Sequence, residues 1–539
     1  MLDIDSVKIW LRKSILLLLI LQGMLPVRGH ATEAPSDLVA LNRQLRIDLT
    51  WQGEGYNDSV YQVRRGEAAT GPFDILPDSS TFPIFSDFTG RPNQTFFYSV
   101  REAKYDGEKL LPTSPWSDPV RGMTLKFDRV ALIDEVQEAS LRIATVGSHP
   151  RSGLVSEWIT TRGKPKRAEW KVAASGATGM TLTNFVVAAE RGYLDRKNAA
   201  EAVLKALRFL GQKAERFHGA FSHWIDHETG QALPFSKFDD GGDIVETALL
   251  MQGVLIVREY FSRQTQMESE IRKLANRLWR EVEWNWYQKD GGDRLLWHWS
   301  PKHGWKMNLP VQGFCEAEIL YLLGIASPTH SIPVSCYYNG WRGAYFGKKR
   351  NHFGIPLELG QGLGGCTFWY YYSHIGIDPN TMQYRGRSYL EHFRDHCAVQ
   401  LRFIRSQSKY YKGYDEMWGL TAAPGPDGYV GFKPGKLNNG TLVPAASLSA
   451  YLYAPEASQK SLDAMYLKHG QKIWQEFGFI ESFNLTRDWQ FPTYLGIDAG
   501  PVAAMLENYR TGLLWELFMN APEIRNAMKR IKADSRWNK

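Results

Sequence analysis

The chain has 539 residues, 43% of them hydrophobic and 22% charged, a balance that suits a folded globular protein and excludes a mostly disordered one. Lys and Arg total 64 against 57 Asp and Glu, a net charge of +7. The basic residues are scattered, not gathered into a stripe, which argues against nucleic acid as the partner. The length exceeds one ordinary core, so the sequence predicts two domains, a large one and a smaller module.

In chain order, Lys8, Arg12 and Lys13 precede an apolar run from Ile15 to Leu21, and Gly29 to Ala31 supply the small residues a signal peptidase reads. Residues 1–31 are therefore expected to be a signal peptide that exports the protein to the periplasm or beyond. The run is too short to span a bilayer, and no later apolar stretch reaches roughly 18 residues, so no membrane span is expected in the mature chain. From 35 to 126 short alternating stretches follow one another: LRIDLTW from Leu45, VYQVRRG from Val60 and TFFYSVREA from Thr95. The connectors between them carry the Gly, Asn and Asp that turns require. About seven short strands in about 90 residues predict a β-sandwich. With Trp51 on an early strand, Tyr98 in FFYSV and the closing SPWSDPV from Ser114, the segment resembles a fibronectin type III domain. It carries no convergent carboxylates, so a spacer or lid is expected more than an independent sugar-binding module.

From 127 to 539 the apolar spacing becomes helical. DEVQEASLRIATV, NAAEAVLKALRFLGQKA, IVETALLMQGVLIVREYF and ESEIRKLANRLWREVEWNW repeat apolar residues three and four apart. Helix pairs with long Gly- and Trp-rich loops, and no alternation of strand with helix, predict a large all-α domain of the α/α-toroid type. The fold class is thus a small all-β sandwich followed by an α/α-toroid. Aromatic residues reach 13% of the chain; rings bury well in any core and also stack on the apolar faces of sugars.

Two acidic segments could carry chemistry. In FSKFDDGGDIVETALLMQGVL, Asp239, Asp240, Asp243 and Glu246 fall immediately before and inside the start of an apolar helix. Carboxylates this close raise one another's pKa values, which keeps one protonated as a general acid. The plainer account is that Asp243 and Glu246 form an N-cap and capping box, which leaves Asp239 and Asp240 unexplained. In GFCEAEILYLLGIASPTH, Glu316 and Glu318 open another apolar helix, where the dipole alone would favour an acid. Upstream of it Trp297, His298, Trp299 and Trp305 are dense enough in rings to line a sugar cleft. A glycoside hydrolase needs two carboxyls on opposite sides of the scissile bond, and these two segments could supply them.

The blocks WKVAASGATGMTLTNFVVAAERGYLDRKNAAEAV, FHGAFSHWID, DGGDIVETALLMQGVL, WHWSP, EILYLL with SPTH, MWGLTA, GPDGYV and LGIDAGPVAAMLENYRTGLLW, in this order, make the sequence from about Leu132 onward similar to the bacterial endo-β-1,2-glucanases, whose domain is labelled glucoamylase-like. The resemblance implies an α/α-toroid and hydrolysis of internal β-1,2-glucosidic bonds, with inversion the implied outcome. Carried over by position, the essential acids are Asp239, Asp243, Glu246 and Glu316. Glu246 is then the candidate acid, and Glu316 the group that activates water or holds the sugar. Relatives often carry a Trp-Asn pair before that glutamate where this chain has Phe314 and Cys315, so contacts beside Glu316 are expected to differ. Exo-action or glycosyl transfer on another β-glucan or oligosaccharide, and a non-catalytic glycan-binding protein, stand as alternatives.

Further candidates for binding sugar are His223, Trp297, Trp299, Trp305, His330, Trp418, Tyr429 and Asp498, most of them on Gly-rich loops that turn the chain whatever else they do. Glu507, Asn508 and Arg510 suggest a buried polar junction. GQGLGG at 360–365 lacks the strand, helix and acidic partner of a dinucleotide site and is expected to be a loop. Cys315, Cys336, Cys366 and Cys397 lack zinc-site spacing, and four buried thiols are expected, although an oxidising compartment would let any close pair bridge. No metal or cofactor is implied, and the expected molecule is a monomer acting on a glucan.

Overall fold

The computed structural model describes residues 33–343 and 346–537, so the expected signal peptide lies outside the described residues. The first described part is β-rich. Its strands are β1 (Val39–Arg43), β2 (Arg46–Thr50), β3 (Ser59–Gly66), β4 (Phe73–Ser80), β5 (Ile84–Phe88), β6 (Thr95–Asp106), β7 (Lys109–Pro112) and β8 (Val120–Met123). One sheet has the order β1-β2-β5; the other runs β4-β3-β6-β7, with β8 also paired to β6. All pairings are antiparallel, for example Leu49 opposite Phe85 and Val63 opposite Val100. Alternation sends Ile47, Leu49, Trp51, Tyr61, Val63, Phe85, Tyr98 and Val100 into one shared core, with Trp51 edge-on to Tyr61 at 5.1 Å.

The remainder is helical: α1 (Arg129–Thr145), α2 (Ser175–Glu190), α3 (Arg196–Gln212), α4 (Ile244–Tyr260), α5 (Gln266–Arg280), α6 (Glu318–Ala326), α7 (Tyr389–Ser406), α8 (Pro444–Ser449), α9 (Pro455–Ala464), α10 (Gly496–Arg510), α11 (Leu513–Asn520) and α12 (Pro522–Lys532). Composition decides which helices are central. In α2 and α4 the residues Ser175–Ala188 and Ile244–Arg258 are buried without interruption, as expected for helices that are apolar all round. α3 and α5 bury only one stripe, Ala199 to Leu210 and Ile271 to Trp279, and form an outer layer against α2 and α4. The inner pair can approach closely because a Cβ on Gly253 would stand 1.9 Å from the carbonyl oxygen of Gly179. The helices start where side chains satisfy their free N–H groups, at Asp128 for α1, Thr265 for α5 and a Ser388–Glu391 capping box for α7.

Two features depart from the sequence expectation of helices and loops alone. The loops carry short antiparallel ladders, such as Val172–Ala174 with Trp224–Asp226, Gly242–Asp243 with His298–Trp299, and Trp158–Ile159 with Tyr494–Leu495. Ladders of two or three residues have no period, so spacing cannot reveal them. The helix expected at Glu316 begins at Glu318. The four cysteines are free thiols, three of them buried and Cys315 half-buried. Glu507, Asn508 and Arg510 do form a polar junction: Arg191 bonds Glu507 at 2.7 Å, Asn508 donates to the Ile375 carbonyl, and Arg510 donates to Gln137.

The β-rich region and the helices are joined by a buried charge network. Arg46, fully buried, bonds Asp48 and Glu135 and lies 4.4 Å over the Trp474 ring; Arg142 of α1 meets Asp48 at 2.7 Å. These two arginines and Ser86 hold the Asp48 carboxyl below its ordinary range although burial alone would raise it. A second seam runs to the loop after α1, where Thr81 donates through its N–H to the Thr161 carbonyl at 2.9 Å and through its hydroxyl to that of Thr160 at 2.7 Å.

Candidate active site

The loops at the N-terminal ends of the inner helices enclose a cavity of about 460 Å³. Its walls include Glu157, Trp158, His223, Trp224, Phe235, Glu246, Trp297, Glu316, Phe368, Tyr372, Tyr429, Leu495 and Ile497. Rings with a few convergent carboxyls are the composition of a site for sugars, which offer apolar faces and hydroxyl edges.

Asp243 organises one side. It is the N-cap of α4, and its Oδ1 accepts from the backbone N–H of Val245 at 3.0 Å and of Glu246 at 2.9 Å. Its Oδ2 receives the Trp297 indole N–H and His223 Nδ1, both at 3.2 Å, and lies 3.4 Å from His298 Nε2. Asp239 meets the same His298 nitrogen at 3.0 Å. Burial would lower both histidines, yet Glu246 and Asp243 raise His223 to about 10, and Asp239 and Asp243 raise His298 to about 9. Asp243 is correspondingly held below its ordinary range by the two histidines in spite of burial. His223, Asp239 and Asp243 place their potential ligand atoms within 4.8 Å of one another, the spacing a metal ion needs. A metal would have to displace the proton of His223, so the donor set fits a hydrogen-bonded ion cluster better than a cation site.

Glu246 departs from the capping box that its spacing predicts. Its side chain does not turn back to the cap; Oε2 accepts the Gly176 backbone N–H at 2.9 Å, at the start of α2. Burial, followed by the neighbouring Asp243 and Glu157, raises this carboxyl to about 7 against the lowering effect of His223. Glu316 lies two residues ahead of α6, its backbone fixed by the Ser373 hydroxyl, which donates to the Glu316 carbonyl. Burial raises it to about 7 as well, with Asp243 adding to the effect. A Cβ on Gly176 would stand 2.3 Å from Glu246 Oε2. Gly176→Ala is expected to push the Glu246 carboxyl out of place and lower kcat by about tenfold or more, with α2 otherwise tolerant of alanine. Initial rates with a thermal melt check this; an unchanged kcat refutes it.

The other sequence candidates separate into those at the cavity and those away from it. His223, Trp297 and Tyr429 line it, His223 stacking on Phe235 at 4.0 Å. Asp239 and Asp243 lie beneath the wall, and Asp498 lies behind it, bonded to the Tyr372 hydroxyl at 2.9 Å. Trp299 and Trp305 join a neighbouring ring cluster with His218 and Trp286, not the cavity wall. Trp418 is 1% exposed in the core, while Ala422, four residues on, lies at the cavity. His330 follows the C-terminal end of α6, the end opposite Glu316, and does not reach the cavity. Glu157, Trp158, Trp224, Phe235, Phe368 and Tyr372 escape the sequence reading. For the five rings the one signal was aromatic density, as in FWYYY around Phe368, which core packing explains equally well; Glu157 carried none.

The glycoamylase family model, described as "Putative glucoamylase", matches residues 308–522. The chain is 35% identical over 526 residues to the exo beta-1,2-glucooligosaccharide sophorohydrolase (non-reducing end) of Parabacteroides distasonis, covering 93% of this chain and 71% of that protein. The crystal structure of beta-1,2-glucanase from Parabacteroides distasonis aligns with a TM-score of 0.86 at 33% identity, over 95% of this chain and 75% of that one. The endo-beta-1,2-glucanase from Chitinophaga pinensis, solved with sophorotriose and glucose, aligns with a TM-score of 0.72 at 37% identity, over 75% of this chain and 98% of that one. No helix among the described residues is long and apolar enough to cross a membrane. With likeness of this extent and a cavity lined by carboxyls and rings, the chain is a glycoside hydrolase and belongs to the family of β-1,2-glucan hydrolases that includes the Parabacteroides distasonis enzyme.

Proposed function

We propose that this enzyme hydrolyses β-1,2-glucosidic bonds, with Glu246 giving a proton to the leaving oxygen and Glu316 activating water or holding the sugar. The observation that carries this is that two carboxyls, Glu246 at the start of α4 and Glu316 two residues ahead of α6, both line the one aromatic cavity, where burial raises each to about 7. Asp239 and Asp243 act through others: Asp243 fixes His223, Trp297 and the start of α4, and Asp239 fixes His298. Trp297, Phe235 and Tyr429 provide ring surface for the sugar.

Release of a short oligosaccharide from a chain end is favoured over internal cleavage. Likeness to the sophorohydrolase extends over 93% of this chain, whereas the Chitinophaga pinensis endo-enzyme matches over 98% of its own length but only 75% of this chain. The β-rich region bonds the loop that carries Glu157 and Trp158, and so supports one end of the cavity. We assign residues 35–126 to a fibronectin type III-like sandwich, on the strand orders β1-β2-β5 and β4-β3-β6-β7, and residues 127–539 to the toroid. Export by residues 1–31 belongs to the same proposal.

Linear β-1,2-glucan incubated with the mature protein tests the reading. A disaccharide as the dominant product from the earliest time supports chain-end action, and a ladder of sizes supports internal cleavage. No new reducing ends from this polymer, or from its short oligosaccharides, would refute the substrate class.

A further inference from the structure

Behind the wall made by Tyr372, Leu495 and Ile497 lie two carboxyls that the proposed reaction does not use. Asp498 stands in the first turn of α10 and is 1% exposed; Glu481, 3% exposed, precedes the short strand Ser482–Asn484. Asp498 accepts the Tyr372 hydroxyl through Oδ1, and Glu481 accepts the Leu495 backbone N–H through Oε2 at 3.0 Å. The remaining oxygen of each, Oδ2 of Asp498 and Oε1 of Glu481, is buried without a donor. The two side chains nevertheless lie within hydrogen-bond reach of each other. Two carboxylates cannot hold that approach in a buried site unless a proton sits between them.

We propose that Glu481 is a positioning residue: it keeps one proton shared with Asp498, and the pair fixes Tyr372 and the Leu495–Ile497 corner against the bound sugar. Burial raises both carboxyls above the ordinary carboxylate range, and the charge of Asp498 adds to the rise of Glu481. The other groups facing the pair are Glu157 from the loop after α1, Tyr371 and Tyr372 from the segment after Phe368, Tyr429 from the strand Gly428–Gly431, and Cys366, which itself faces Lys433. The tyrosines and Cys366 are raised by burial, so they stay neutral while Glu481 titrates. Loss of the shared proton leaves two adjoining carboxylates, whose repulsion loosens Tyr372 and weakens sugar binding.

The inference rests on a β-1,2-linked sugar being the ligand, and the test separates the two. Sophorotriose is titrated calorimetrically into the Glu246→Gln enzyme at pH 7 and pH 9, with and without Glu481→Gln. Glutamine can keep both contacts, accepting from Leu495 and donating to Asp498, but has no proton to lose. The Kd of the Glu246→Gln enzyme is expected to rise about tenfold between the two pH values, and that of the double variant by less than about twofold. Any contribution of Glu316 is common to both enzymes and cancels. Equal pH dependence in the two, or none in either, overturns the role of Glu481. Absence of sophorotriose binding to both at pH 7 overturns the ligand class, and the inference with it.

Discussion

Glu246→Gln is expected to lower kcat by about 10²- to 10⁴-fold, the range for loss of a positioned general acid, with a much smaller change in KM. The amide still accepts the Gly176 N–H, so the side chain keeps its place and loses only the proton it would transfer. Glu316→Gln is expected to cause a loss of similar order. The productive state has one of these two carboxyls protonated and the other ionised. With both near 7, the wild-type rate should be bell-shaped and greatest around pH 7. It falls on the alkaline side as the acid ionises and on the acid side as its partner takes up a proton. The raised values have an opposite consequence for stability. A carboxyl whose folded pKa exceeds its unfolded one binds more protons when folded, so its ionisation subtracts stability as pH rises from the ordinary carboxylate range to about 7. Glu246→Gln should therefore raise Tm at neutral pH while it lowers kcat. Wild-type rates of reducing-end release in this variant would remove Glu246 from the reaction.

Asp243→Ala is expected to cost about 3–5 kcal/mol of stability as well as most of the activity, because the carboxyl is fully buried and its removal leaves a cation unpaired. It also removes the α4 cap, a loss of about 1 kcal/mol in its own right. Asp243→Asn separates the two effects, since an amide oxygen can still cap α4 but carries no charge to hold His223 and His298. The pH window follows from the signs. The Asp243 contribution is present above the ordinary carboxylate pKa and fades as pH falls through its depressed folded value. The His298 contribution is complete below about 6.5 and fades as pH rises through about 9. Denaturant melts of the wild type and both variants across this window check the assignment. An Asp243→Ala enzyme as stable as the wild type would show that the cluster is not held together by charge.

Much of this was legible before any coordinates. The period of apolar residues placed α1, α3, α4 and α5, and alternation placed β2, β3 and β6, because both patterns record a face turned to a core. The acidic blocks held Asp239, Asp240, Asp243, Glu246, Glu316 and Glu318, and the resemblance to the endo-β-1,2-glucanases implied Asp239, Asp243, Glu246 and Glu316; in the structure Glu246 and Glu316 line one cavity, with Asp239 and Asp243 buried beneath its wall. Sequence spacing could not separate their roles: Asp243 and Glu246 are three residues apart on one helix start, yet one has both oxygens committed to donors and the other reaches across to Gly176. Trp297 lines the cavity while Trp299 and Trp418 do not, although all three read alike as rings beside loops.

The sequence by itself determined that the chain folds as a β-rich region followed by helix pairs, and which acidic segments stand at the start of two helices, since these depend on local period and composition. Tertiary structure alone decided which carboxyls are raised and which depressed, because desolvation and the approach of Gly176, His223 and His298 come from other loops. It alone brought Glu481 beside Asp498, and Glu157 to the cavity wall, since a contact between residues far apart in the chain leaves no pattern in the spacing of either.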